Sequence, residues 1–420
     1  MNDRRWSKRV KSALRVRSLR PTVVNAILAE VKREETLGRR PVSLMRGQPD
    51  TETPAEVVEA ACRALRSGRT GYPEIRGEAA LRRAAARKIE RESGVKYDPD
   101  REILITDGAT CGLAAALGAV VDSGDEVLTP DPIYDAYEGV IGVWGAIPSR
   151  ITSTIRDGRY QFDRLALESA ASPLTKSILI NTPWNPVGSI LRPEEMREIV
   201  DFAVDQDLVI ICDEIYDSYV YDGMRHVSPV AVDPRARERT IVVNSLSKTY
   251  AMTGWRVGYI AAHEPICAAM TLVLQQWSRG PATFVQDAAV AALGLSDDWN
   301  RSITVEYQSR RDRVVAALND IPGVEAIVPE GGLFVMADIR GLGVPSDYAR
   351  GFLLREAEVA IVHGSAYGPS GEGSLRISFA AGGRTLETGL ARLRDGLLRL
   401  GDSRDQLAVK SAAETVLLRS

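Results

Sequence analysis

The chain has 420 residues, 45% hydrophobic and 26% charged, the make-up of an ordinary globular protein with room for two or three domains. A formal net charge of -3 speaks against a nucleic-acid binder or a membrane-surface protein. Four scattered cysteines without a Cys-x-x-Cys pair and three distant histidines (His226, His263, His363) speak against a disulfide frame and against zinc, so no metal is expected.

The first twenty residues carry eight basic side chains and one acidic one, but no apolar run of a signal peptide. They read as an amphipathic arm lying on its own protein, with a nucleic-acid-binding arm as the alternative. No segment of about 18 apolar residues occurs, and the four cysteines, each among apolar or small residues, read as reduced thiols of a cytoplasmic protein. From about Pro54, helical patterns alternate with short apolar runs. The runs at 101–106, 125–130, 177–181, 208–213 and 240–245 read as buried strands, and 256–262 is a further candidate. Helical stretches such as 112–124 and 192–206 lie between them, which predicts an α/β domain whose parallel sheet is covered on both faces. A long polar helix at 300–320 then leads to strands at 324–328, 333–339 and 374–380 mixed with two helices. The expected organisation is an N-terminal arm and part of a small domain (1–50), a large α/β domain (51–300), a smaller α+β domain (301–400) and a tail (401–420).

In open α/β sheets, ligands sit beyond the carboxyl ends of the strands, and the unusual residues of this chain fall there. Asp107-Gly108-Ala109-Thr110 follows the first strand and opens a helix, which makes an anion site from backbone N–H groups. "TPWNPVG" follows Asn181. Asp213, Glu214, Ile215 and Tyr216 end another strand, where a carboxylate is expensive to bury unless it meets a cation or a donor. "VVNSLSKTYAMTGWRVGYI" (242–260) carries Lys248 and Arg256 eight residues apart and no carboxylate. Separately these are a glycine turn, a proline turn and a solvated strand tip. Together they suit a phosphate, a protonatable ring nitrogen, a ring hydroxyl and an aldehyde, the groups of pyridoxal 5′-phosphate.

Over roughly residues 5–400 the chain resembles the class I/II aminotransferases of the aspartate aminotransferase fold, fold type I of the pyridoxal-phosphate enzymes. "SLSKTYAMTGWRVGY" and "NTPWNPVG" carry the resemblance most specifically. It implies that Lys248 is the Schiff-base lysine and proton carrier, and that Arg256 is a phosphate ligand. Gly108, Ala109 and Thr110 match the phosphate turn. Ser245 and Ser247 match the hydroxyls before the lysine, with Ser245 favoured as the phosphate contact. Asp213 matches the partner of the ring nitrogen. Tyr216 and Asn185 match donors to the ring hydroxyl, and Tyr134 the ring stacked on the cofactor. Arg376 matches the reader of the substrate α-carboxylate, and Gly47 a backbone contact beside it. Tyr72 matches a tyrosine that reaches the phosphate from the other subunit of a homodimer with shared active sites.

The chain departs from the family's usual Gly-Glu-Pro-Asp at Gly47-Gln48-Pro49-Asp50, and from its usual proline at His363. Arg279 lies near the region that binds a second substrate carboxylate but not clearly at that position. The leading expectation is amino transfer between an L-amino acid and a 2-oxo acid, with neither nucleic acid nor membrane as partner. Decarboxylation, β- or γ-elimination, cyclisation or oxidation on the same scaffold is the alternative. A cofactor-binding regulatory module fits less well, because no separate DNA-binding domain precedes the fold.

Overall fold

The computed structural model describes residue 13, residues 15–16 and residues 19–417, with side chains described as far as residue 402. Most of the basic arm expected over 1–20, and the side chains of the tail, lie outside the described residues.

A seven-stranded sheet forms the centre. In chain order its strands are β1 (Ile103–Thr106), β2 (Glu126–Asp131), β3 (Ile147–Thr152), β4 (Thr175–Asn181), β5 (Val209–Asp213), β6 (Thr240–Ser245) and β7 (Gly258–Ala261). Across the sheet they run β1-β7-β6-β5-β4-β2-β3. Only β7 is antiparallel to its neighbours; β3, β2, β4, β5 and β6 pair in parallel. Strands buried on both faces need continuous apolar runs, and β4 and β5 supply them. Successive residues then serve opposite faces. Ile178, Ile180, Ile210 and Cys212 pack with Met196 and Ile199 of the helix Pro193–Asp205. Leu179 and Ile211 pack with Leu113 and Leu117 of the helix Ala109–Val120.

The edge strand β3 and a small hairpin (Thr154–Arg156 with Arg159–Gln161) are absent from the sequence-based expectation. Their residues are mostly exposed or half-buried, so no apolar run marks them.

A second sheet contains β8 (Glu325–Ile327), β9 (Phe334–Asp338), β10 (Val362–His363) and β11 (Ser374–Ser378), all antiparallel, in the order β8-β9-β11-β10. The helix Asp297–Asn319 packs on it through Tyr307, Val314 and Leu318. The early chain returns to this part: Val42–Ser43 pairs in parallel with Val359–Ala360. One helix near the N-terminus, α1 (Val23–Thr36), packs Ile27 and Val31 against Leu354 and Val362. The last helix, Gly383–Leu417, carries the backbone of residues 401–417.

Candidate active site

The parallel strands end at one edge of the main sheet. Asn181 and Asp213 are direct neighbours in register, while Gly258 of β7 pairs with both Thr106 and Ser245. A cavity of about 420 Å³ opens there, between this edge, β9 with β11, and α1.

At its floor lies Asp213. The Tyr137 hydroxyl donates to its Oδ2 at 2.5 Å, and the Ile215 amide to its Oδ1 at 3.1 Å. Burial pushes its pKa up to about 6, against the pull of these donors and of the Lys248 charge. A cation beside this carboxyl would bring the pKa back down.

Lys248 sits across the cavity, and its Nζ donates to the Gly47 carbonyl at 2.8 Å. Burial lowers its pKa to about 8; Asp213 opposes that shift, while Arg376 and Arg256 add to it. Burial is the largest of these causes. Tyr216 places its ring 5.9 Å from Lys248 Nζ, and burial raises its pKa, so it is a neutral phenol near pH 7. Tyr134 meets Tyr137 edge to face at 5.4 Å.

The glycine turn closes one end. Gly108 has φ +83°, and a Cβ there would lie 2.6 Å from Arg256 Nη2, so only glycine allows this approach. Ala109 and Thr110 line the cavity beside Arg256, whose guanidinium donates to the carbonyls of Thr253 and Asp107. Of the two serines, Ser247 lines the cavity and Ser245 does not. The Ser245 hydroxyl lies behind the wall, within 2.8 Å of Ser247 Oγ and 3.1 Å of the Val257 carbonyl.

At the other end Arg376 is 2% exposed and lies between the rings of Phe334 and Tyr367, at 4.0 and 4.7 Å. Its Nη2 donates to the Met45 carbonyl at 2.6 Å and its Nη1 to Asn185 Oδ1 at 3.3 Å. Its buried Nε has no partner among the described residues. An orphaned buried guanidinium donor is costly, and a carboxylate would satisfy it. Gly47 is required here too: a Cβ would stand 2.4 Å from Phe334 Cζ.

These features fit pyridoxal 5′-phosphate. The glycine cradle with Arg256 suits a phosphate, the protonatable buried Asp213 suits a ring nitrogen, and the low-pKa Lys248 suits an aldehyde. The structure brings most of the expected site residues to the lining of one cavity; Gly108 and Ser245 stand directly behind residues that line it, and two others lie away from it. Tyr72 is 91% exposed on the loop before Ala79, and Arg279 is exposed on the loop before Thr283. Sequence reasoning missed Tyr137, Phe334 and Tyr367, which arrive from a helix, β9 and a 3-10 turn. Tyr137, three residues after Tyr134, carried one signal: a phenol near strand-end polar residues.

The aminotransferase class I and II family model matches residues 39–392. The aspartate aminotransferase of Pyrococcus abyssi is 36% identical over 354 residues, 84% of this chain and 90% of that protein. The aromatic-amino-acid aminotransferase 2 of Thermococcus litoralis is also 36% identical over 354 residues, with the same coverage. The crystal structure of the aspartate aminotransferase from Rhizobium meliloti superposes with a TM-score of 0.89 at 32% identity, covering 92% of this chain and 99% of that one.

Proposed function

The chain belongs to the class I and II aminotransferases, a pyridoxal-phosphate-dependent family, and from that premise we propose how its own residues carry amino transfer between an L-amino acid and a 2-oxo acid. The observation that carries the reading is Lys248, a half-buried lysine open to the cavity with its pKa lowered to about 8, facing a buried carboxyl and a guanidinium with an orphaned donor among the described residues.

When bound, pyridoxal 5′-phosphate supplies an aldehyde that takes up the substrate amine and a ring that draws electrons from the substrate Cα. Ala109, Thr110, Ser247 and Arg256 would hold its phosphate, with Tyr72 reaching in from a second copy of the chain. Asp213 would keep a proton on the ring nitrogen, and Tyr137 orients that carboxyl. Tyr216 and Asn185 would donate to the ring hydroxyl oxygen, and Tyr134 would stack on the ring. Arg376 grips the substrate α-carboxylate, and the rings of Phe334 and Tyr367 fix the plane of its fork. Lys248, once freed by the incoming amine, moves the proton at the substrate Cα, and the burial that lowers its pKa favours the neutral amine this requires.

Four unpaired thiols support a reducing compartment, the cytoplasm. No helix among the described residues is long and apolar enough to cross a membrane. The test is to mix the holoenzyme with a panel of amino donors and 2-oxo acids and to identify both products. Formation of a new amino acid together with the donor's 2-oxo acid is expected. Release of carbon dioxide, ammonia or peroxide in their place would move the enzyme to another reaction on the same cofactor.

A further inference from the structure

The cavity holds one charge more than this chemistry uses. Six charged side chains line it: Arg46, Asp135, Asp213, Lys248, Arg256 and Arg376. Asp213, Lys248, Arg256 and Arg376 have the roles given above. Asp135 faces the start of α1, where its Oδ2 accepts from the Val23 amide at 2.7 Å. Arg46 is left. Its side chain is exposed at the cavity, and its guanidinium has no hydrogen-bond or ion-pair partner among the described residues.

The backbone of Arg46 is fixed from three directions. The carbonyl before it, of Met45, accepts from Arg376 at 2.6 Å. The carbonyl after it, of Gly47, accepts from Lys248 Nζ at 2.8 Å. Its own carbonyl accepts from Ser378 Oγ at 2.7 Å. The Arg46 Cα is therefore set between the group that grips the α-carboxylate and the lysine that works at the Cα. A long side chain starting there and lining the same cavity overlooks what remains of the substrate, its side chain. Thr22, Asn25 of α1 and the nearby Gln48 are uncharged, and the one anion beside them, Asp135, accepts from the Val23 amide and makes no ion pair with Arg46 among the described residues.

We propose that Arg46 is a specificity-determining residue that reads an acidic group on the substrate side chain, so that dicarboxylic amino acids and 2-oxo acids are a favoured substrate class. A planar guanidinium offers a carboxylate two parallel hydrogen bonds, which a neutral side chain cannot answer. The kinetic part of the claim rests on the transamination reading; the binding part does not.

Wild type, Arg46→Gln and Arg46→Glu are compared as holoenzymes in two ways. Calorimetry measures succinate against butyrate, which replaces one carboxylate by a methyl group. The wild type should prefer succinate about tenfold or more, the order expected of a charge-assisted pair and equivalent to about 1.4 kcal/mol. Arg46→Gln should lose most of that preference, and Arg46→Glu should reverse it. Kinetics then follow the ratio of kcat/KM for glutamate to that for alanine, which should fall in the same order, mainly through KM. A succinate preference that survives in both variants, or an equal change for both ligands, overturns the assignment of Arg46. A wild type that turns over no amino donor overturns the transamination reading, and the succinate measurement still decides the role of Arg46.

Discussion

Lys248 and Asp213 show how burial sets reactivity. A lysine whose folded pKa is lowered to about 8 from 10.5 binds fewer protons when folded than when unfolded between those values. Unfolding therefore takes up protons in that window, and the stability of the cofactor-free protein rises with pH through it. Lys248→Met removes the burden of the buried charge. The variant should melt higher than the cofactor-free wild type below about pH 8, and the gap should shrink toward pH 10.5. A gap independent of pH would mean that Lys248 is not a buried ammonium. Asp213→Asn keeps shape but not charge. We expect the holoenzyme to retain cofactor absorbance while proton transfer at the substrate Cα slows by about a hundredfold or more, the order seen when one preorganised electrostatic partner is removed. Rapid-mixing absorbance of the first half-reaction measures it, and a change below about tenfold would show that the carboxyl does not face the ring nitrogen.

Two elements cover the site from the same side, α1 and the segment running to Gly47. The start of α1 is tied through Asp135 to the segment that follows β2 and caps the helix Ala136–Val143, in addition to Thr22 Oγ1, which accepts from the Asn25 amide. Asp135→Ala removes an acceptor at a helix N-terminus, worth about 1 kcal/mol. Because Thr22, Val24 and Asn25 line the cavity, the loss should raise the KM for amino acids, whereas Asp135→Asn, which keeps an oxygen, should stay near wild type. Equal KM values for Asp135→Ala and wild type would separate α1 from substrate binding. Such long-range ties explain what the sequence could and could not disclose. Asp213, Lys248 and Asn185 stand just after apolar runs inside compact local patterns, so strand-end logic finds them. Phe334 and Tyr367 look like ordinary core residues, and only the folding of β9 and the 3-10 turn against β11 reveals that they clasp Arg376. The strand β3 was illegible because an edge strand with proline and arginine buries a single residue, Ile151, and so shows no apolar run.

Seen as a whole, the molecule presents a site with two of its expected parts turned outward. The loop carrying Tyr72 is nevertheless anchored: Arg69 bridges Asp287 at 2.9 Å and Glu78 at 3.0 Å, and Thr283 Oγ1 donates to the Arg69 carbonyl at 2.6 Å. That last bond ties it to the loop carrying Arg279. A rigid, outward tyrosine suits a facing site in a twofold dimer, where one loop serves twice. Mixing Lys248→Ala with Tyr72→Ala after subunit exchange should restore roughly a quarter of wild-type activity, since half the dimers are mixed and each has one intact site. No recovery, with exchange verified by tagged chains, would place Tyr72 in its own chain's site. Arg279→Ala should change preference among donors if this loop reaches the partner's substrate, and a uniform effect would leave Arg279 structural.

Borohydride treatment of the holoenzyme followed by peptide mapping probes the role of Lys248 most directly. Reduction locks a carbonyl carbon of the cofactor onto the amine it is joined to, and the site is read by mass. The pyridoxyl group should appear on the peptide containing Ser247-Lys248-Thr249 and be absent from Lys248→Ala, even where that variant still holds cofactor. A pyridoxyl group on any other lysine, or on none in the presence of added cofactor, would contradict the assignment of Lys248 and with it the mechanism.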